Sequence, residues 1–245
     1  MLRHQFAHFT HVLAAVEHFE QARTSSALVD CIRTAAAVYG YEMFVIAAAP
    51  SAARSEFDQL VLLRHWPEDW FRQDVHDRLL SHDLLVAQAR ERSRAFAWRD
   101  VSWPSDAVQT TRLMEIASRD YGMRQGFCVP IYGIYGYEGA VSFAGREVDN
   151  SPSANAGMEL LALYAVNQLM RLRSEEKAAR AVLSAREREV LTWAAIGKTA
   201  WDTGCILSIS TDTVNKHMAS AMRKLKAYTK TQAVAESLRR GEIHL

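Results

Sequence analysis

Between Trp66 and Tyr121 the chain concentrates large aromatic side chains among carboxylates: Trp66, Trp70, Asp74, Asp83, Phe96, Trp98, Trp103 and Tyr121. An enclosed site for a small amphipathic molecule needs apolar walls and a few fixed polar groups, because a buried donor or acceptor left unpaired costs about 1–3 kcal/mol. An indole N–H can donate to a ligand carbonyl, and an ionised aspartate can accept from a ligand N–H. An ordinary aromatic core edged by surface acids has the same composition, so residue types alone leave both readings open.

A second group lies near the C-terminus. Thr211, Thr213, Asn215, Lys216, Ser220, Arg223 and Lys224 fall on one side of a predicted helix, with His217 at the margin. On the opposite side Val214, Met218, Ala221, Met222 and Leu225 recur at helical spacing and form an apolar stripe. Polar side chains near the start of such a helix suit contact with base edges, and Lys and Arg along it suit phosphates. Asn215 and Lys216 are the candidates for base contact.

The elements that position this second group are marked by caps. Ser184 and Glu187 have the spacing of a capping box, Val190, Leu191 and Ala194 continue at helical spacing, and Gly197 suits the residue past the helix end. Thr199 caps a predicted second helix through Leu207, and Ser210 or Thr211 caps the third. A capped helix, a glycine turn, a short helix and a basic helix make a helix-turn-helix layout. Residues 174–245 hold twelve Lys and Arg against eight Asp and Glu, a net of +4, while the rest of the chain is at −3. That mild field fits a salt-sensitive nucleic-acid-binding domain helped by dimerisation.

The elements around the aromatic group alternate in type. Residues 12–22 and 27–38 read as helices, 41–48 and 59–64 as strands, and 68–78, 82–92 and 107–121 as helices. Residues 127–132 and 140–144 read as a hairpin turning through Gly133, Gly136 and Gly139, and a long helix covers 156–173. This predicts an α+β protein: an N-terminal α/β/α sandwich with an antiparallel sheet, and a C-terminal all-α helix-turn-helix domain. The expected division is 1–173, a link at 174–181 that is either a linker or an extension of the long helix, and 182–245.

Composition excludes several classes. Of 245 residues 49% are hydrophobic and 23% charged, which is globular rather than disordered. No run approaches 18 apolar residues, and the first residues lack a signal core, so a soluble cytoplasmic protein is expected. Cys31, Cys128 and Cys205 are widely spaced without a CxxC pair, which supports neither a disulfide framework nor a zinc finger. His4, His8 and His11 share a helical face, and a solvated face is expected there rather than a metal site. No nucleophile elbow, phosphate-binding glycine loop or HExxH is present, and residues 1–60 lack the strand-borne acids of a phosphorylated receiver. The sequence predicts no enzyme and no cofactor.

These motifs resemble the LuxR family of quorum-sensing transcription regulators along essentially the whole chain. Glu187, Leu191 and Gly197 sit at the family's mutual spacing, followed by Gly197-Lys198-Thr199, Thr213-Val214-Asn215-Lys216-His217 and Arg223-Lys224-Leu225. Trp66-Pro67-Glu68-Asp69-Trp70, Asp83, Phe96-Ala97-Trp98, Gly122-Met123-Arg124-Gln125-Gly126 and Val141-Ser142-Phe143-Ala144-Gly145-Arg146 follow its N-terminal pattern. The resemblance implies a small-molecule autoinducer, an acyl-homoserine lactone, enclosed by the N-terminal domain. It further implies a homodimer on palindromic double-stranded promoter DNA, with RNA polymerase as a further candidate partner. By position, Trp70 corresponds to the donor to the lactone carbonyl, Asp83 to the acceptor from the ligand amide, and Trp98 to the residue packing over the lactone. Gly126 corresponds to a close-approach glycine, and Trp66 and Ser142 to further pocket positions.

The chain departs from the family at two places. Asp74 stands where a tyrosine usually donates to the acyl carbonyl, and an ionised carboxylate only accepts. It is therefore protonated, turned outward, or matched to a ligand with a donor; Leu84 replaces a proline nearby. Thr203 and Gly204 replace an aliphatic residue and alanine in the short helix, and a helix-interior glycine is expected to cost about 1 kcal/mol relative to alanine. Asp74 keeps open a receptor for a non-lactone signal or a ligand-independent regulator. Thr203 and Gly204 keep open an anti-activator that acts by heterodimerisation.

Overall fold

The computed structural model of the chain describes residues 2–50, 60–72, 84–101, 108–134, 136–179 and 181–243. The chain divides into two compact units, Met1–Arg173 and Ser174–Leu245.

The first unit opens with α1 (Leu2–Gln21) and α2 (Ser25–Ala37), followed by β1 (Met43–Ala48), β2 (Val61–His65), α3 (Glu68–Arg72) and α4 (Leu84–Glu91). Then come β3 (Phe96–Ala97), a 3-10 turn at Trp98–Asp100, α5 (Val108–Tyr121), β4 (Gln125–Gly133), β5 (Gly136–Gly145) and α6 (Pro152–Ala179). The five strands form one antiparallel sheet in the order β2-β1-β5-β4-β3. Strand β3 and its 3-10 turn escape the sequence pattern because two strand residues are too few to show alternation. Helix α6 runs past Arg173 to Ala179, so the 174–179 stretch extends the long helix. Gly133 faces Gly136 across the hairpin end, but Gly139 lies inside β5 between Ala48 and Ile131 instead of in the turn.

Opposed residues of antiparallel strands share a face. Phe44, Phe143 and Phe127 stand opposite one another across β1, β5 and β4. They are buried against Val12 and Phe19 of α1, Leu28 and Ile32 of α2, and Met158, Leu161 and Leu169 of α6. One residue along each strand the side chains emerge on the other face, where Met43, Ala144 and Gly126 form one row and Val45, Ser142 and Cys128 the next. Ala89 of α4 packs with Cys128 on that face, and Ala117 of α5 packs with Ala144. The result is a sheet between two helical layers, with all the candidate pocket positions described here on the α4 and α5 side.

The histidines of α1 differ from expectation. His8 Nδ1 lies 3.2 Å from Ser153 Oγ, and His11 Nε2 donates to the Ala35 carbonyl at 2.9 Å. Both are half-buried tethers from α1 to the start of α6 and the end of α2, where a solvated face was predicted.

The second unit contains α7 (Ala185–Ala195), α8 (Ala200–Leu207), α9 (Thr211–Leu225) and α10 (Lys230–Arg240). Its core joins Leu183, Val190 and Leu191 to the predicted α9 stripe of Val214, Met218, Ala221 and Leu225, closed by Ala233 of α10 and Ile243. Helix α10, capped by Thr229 at its N-terminus and by Gly241 at its C-terminus, goes beyond the three predicted helices.

Gly126 is the tightest point near the aromatic group, since a Cβ there would overlap the six-membered ring of Trp98. Gly126→Ala is expected to cost about 1–3 kcal/mol by forcing the indole aside. Chemical denaturation measures this, and an unchanged midpoint would mean that the indole has room to move.

Candidate functional site

The described aromatic residues do gather. Trp98, Ala117, Met123 and Ala144 form a buried cluster against which Trp66, Trp70, Met43, Leu85, Met114 and Tyr121 pack. Trp70 and Tyr121 meet edge to face with centroids 5.3 Å apart, a geometry that aligns ring edge with ring face. Burial, with smaller contributions from Asp69 and Asp120, raises the Tyr121 phenol above its ordinary range. Trp98 is 6% exposed and lies over Gly126. Ser142 is half-buried on β5, two residues from Ala144 and on the same face.

Among the described residues two indole nitrogens, Trp66 Nε1 and Trp98 Nε1, are buried with no hydrogen-bond partner. Buried polar atoms are rarely left so, and each asks for an acceptor. Asp74 and Asp83, the two predicted pocket carboxylates, lie outside the described residues, as does Trp103. Sequence spacing brought Trp66, Trp70 and Trp98 to notice. It missed Met43 and Met114, whose membership depends on which strand or helix face meets the sheet. An open cleft of about 730 Å³ adjoins this cluster, and Trp98 and Gly126 line it while Trp66, Trp70 and Ser142 do not.

The helix-turn-helix is assembled by its caps. Ser184 Oγ accepts from the Glu187 backbone N–H, and Glu187 Oε2 accepts from the Ser184 N–H at 2.6 Å. Asp202 answers Thr199 in the same way at the start of α8, and Ser210 Oγ accepts from the Thr213 N–H at the start of α9. Thr203 is 2% exposed, and its hydroxyl donates to the Thr199 carbonyl at 2.8 Å, so burial leaves it satisfied. The expected cost of Gly204 needs correction. A Cβ there would sit 2.7 Å from the Ile209 carbonyl oxygen, so alanine would press on the turn backbone and lose its propensity advantage.

On α9, Thr211, Asn215, Lys216, Arg223 and Lys224 are exposed, and Thr213 and Ser220 are half-buried. Lys216 Nζ pairs with Asp212 one turn earlier at 2.7 Å. This solvated pair is weak and leaves the ammonium free to exchange partners. Lys224 differs, because its Nζ donates at 2.8 Å to Glu187 Oε2, a carboxylate only 4% exposed. That contact ties the recognition helix to the first cap of the domain. Burial pushes the Glu187 carboxyl upward, yet hydrogen bonds from Lys224, the Ser184 backbone and the Ser220 and Ser184 side chains outweigh it and hold the group at about 2.

The family match agrees with this geometry. Residues 24–169 match the autoinducer binding domain, and residues 181–237 match the LuxR family of bacterial regulatory proteins. The chain belongs to the LuxR family: it is a quorum-sensing transcription regulator in which an autoinducer-binding domain precedes a DNA-binding helix-turn-helix. It is 34% identical to the transcriptional activator protein BjaR1 of Bradyrhizobium diazoefficiens, over 86% of this chain and 87% of that protein. It is 33% identical to the quorum sensing-dependent regulator RpaR of Rhodopseudomonas palustris, over 89% of each. The fold is shared with SdiA of Escherichia coli, with a TM-score of 0.67 at 24% identity over 97% of this chain and 99% of that one.

The ordinary pKa of a glutamate is 4.5, and that of Glu187 in the fold is about 2. A depressed carboxyl stabilises the fold above the ordinary value, and that contribution disappears as pH falls from 4.5 towards 2. Glu187→Gln should therefore cost about 2 kcal/mol near neutrality and flatten the acid limb of the stability curve. Urea melts at several pH values test this, and parallel curves for the two proteins would rule out the pairing as a source of acid sensitivity.

Proposed function

We propose that residues 1–173 bind an acyl-homoserine lactone or a related small signal and dimerise. Residues 174–181 link them to residues 182–245, which bind DNA, and the homodimer recognises a palindromic promoter site. The observation that carries the ligand reading is the buried, unpartnered Trp66 Nε1 within the aromatic cluster. An acyl or lactone carbonyl is the kind of acceptor it lacks. Here Trp70 donates to the lactone carbonyl, Asp83 accepts from the amide N–H, the ring of Trp98 packs over the lactone above Gly126, and Ser142 contacts the amide region. Asp74 supports a second reading, a non-lactone signal that brings its own hydrogen-bond donor to that position.

Helix α6 leaves Leu160, Leu163, Tyr164 and Met170 each about 40% exposed. Residues 160, 163, 164 and 170 fall along one side of the helix, a stripe suited to an isologous contact with a second copy. Two recognition helices supply the phosphate contacts that one mildly basic domain lacks. Thr211, Thr213, Asn215, Lys216, Ser220 and Arg223 face the DNA in this reading, while Lys224 mainly holds α9 in place through Glu187. As a promoter-bound regulator the protein meets RNA polymerase in the cytoplasm and performs no catalysis. No helix among the described residues is long and apolar enough to cross a membrane.

Separating the two sites tests the proposal. Trp66→Phe and Asp83→Ala should lose the lactone response. Asn215→Ala and Lys216→Ala should keep lactone binding and weaken promoter binding by about 1–3 kcal/mol. Calorimetry with octanoyl homoserine lactone and fluorescence anisotropy with a labelled palindrome read the two effects. A full lactone response in Trp66→Phe and Asp83→Ala would refute the pocket.

A further inference from the structure

We propose that Asp212 is a base-reading residue, and that together with Lys216 it selects a C·G pair, in one orientation, in each half of the DNA site. The inference rests on the reading of α9 as the recognition helix and goes beyond it by naming the base pair and the carboxylate that reads it.

Val214, Met218, Ala221 and Leu225 turn one side of α9 into the domain core. At 3.6 residues per turn Asp212, Lys216 and Arg223 fall within about 40° of one another on the opposite side. The side chains of Lys216 and Asp212 are 75% and 73% exposed, so the two stand at the middle of the face offered to DNA. Asp212 is the one carboxylate in α9. A carboxylate carried into the major groove is repelled by the phosphates on either side, and a base donor that answers it offsets this.

Asp212 Oδ2 and Lys216 Nζ lie 2.7 Å apart, so the helix presents an acceptor and a donor side by side. A C·G pair presents the complement in the major groove. Cytosine N4 donates, and guanine O6, hydrogen-bonded to that amine at about 2.9 Å, accepts, with guanine N7 as a second acceptor beside it. The ammonium has three N–H donors, so one directed at Asp212 leaves two for O6 and N7. The other pairs fit less well. G·C and T·A set the carboxylate against acceptor oxygens. A·T offers a donor at N6 and an acceptor at O4, but its N7 lies beside the carboxylate, and the thymine methyl stands where the ammonium would meet its second acceptor. Of the four pairs, C·G alone answers both charged groups without opposing like to like.

The test is selection by the full-length protein, with and without octanoyl homoserine lactone, from double-stranded DNA randomised over about two helical turns, followed by fluorescence anisotropy on the selected site. The expected result is a C·G pair at one symmetric position of each half-site, with binding weaker by about fivefold or more when that pair is changed in one half. In Asp212→Ala the preference at that position should shrink to within about twofold while preferences at other positions persist. Asp212→Asn, whose amide both donates and accepts, should shift the preference there towards A·T. A uniform change in affinity with every base preference intact in both variants overturns the proposal, since the carboxylate then only supports the start of the helix. A selected site without such a C·G pair overturns it as well, and leaves DNA binding by α9 standing. Failure to select any sequence overturns the DNA reading and this inference together.

Discussion

Strand β5 has a neighbour on each side, β1 and β4, so its backbone is paired along its length and its two faces must do different work. The period of two sends Val141 and Phe143 into the core under α1, α2 and α6, and sends Ser142 and Ala144 to the layer that holds the tryptophans. A register slip of one residue would exchange the faces, placing a hydroxyl in the core and phenylalanine in the candidate pocket. The size of the side chains follows from this constraint. Bulky residues fill the side that only needs packing, while Gly126, Ala144 and Ser142 keep the other side shallow enough for indole rings to lie against the sheet.

The C-terminal unit depends on a different kind of contact, hydrogen bonds at helix starts. Three successive caps at Ser184, Thr199 and Ser210 fix where α7, α8 and α9 begin, and hence the angle at which the polar side of α9 is offered to DNA. Glu187 joins two of these functions, since the carboxylate that closes the first cap also accepts from Lys224 near the end of α9. The exposed Asn215 and Lys216 are thereby carried on a helix whose far end is anchored, which limits the reorganisation needed on binding.

Much of this was legible in the sequence for physical reasons. The capping residues are local signals, read within four positions, and the stripe from Val214 to Leu225 is a long helical period. The strands at 41–48 and 59–64 were recognisable by their β-branched and aromatic residues, and the hairpin by its glycines. What the sequence did not disclose depends on contacts between distant segments. Phe96 and Ala97 become a strand only because Cys128 and Phe127 stand beside them. His8 and His11 turn inward because Ser153 and Ala35 offer partners from other helices. Gly204 reads as a helix defect until the Ile209 carbonyl is seen above it, and the ion pair of Lys224 with Glu187 joins residues too far apart in sequence to be read from spacing.

The central claim is that the α4 and α5 side of the sheet encloses a signal whose binding stabilises the fold. The direct measurement is the melting midpoint of the purified full-length protein with acyl-homoserine lactones bearing straight, branched and aryl acyl groups, compared with protein alone. Ligand at a hundredfold excess over its dissociation constant contributes about 2.7 kcal/mol, so a midpoint rise of several degrees is predicted for one subset of the lactones. A stable protein whose midpoint is moved by none of them would contradict the claim.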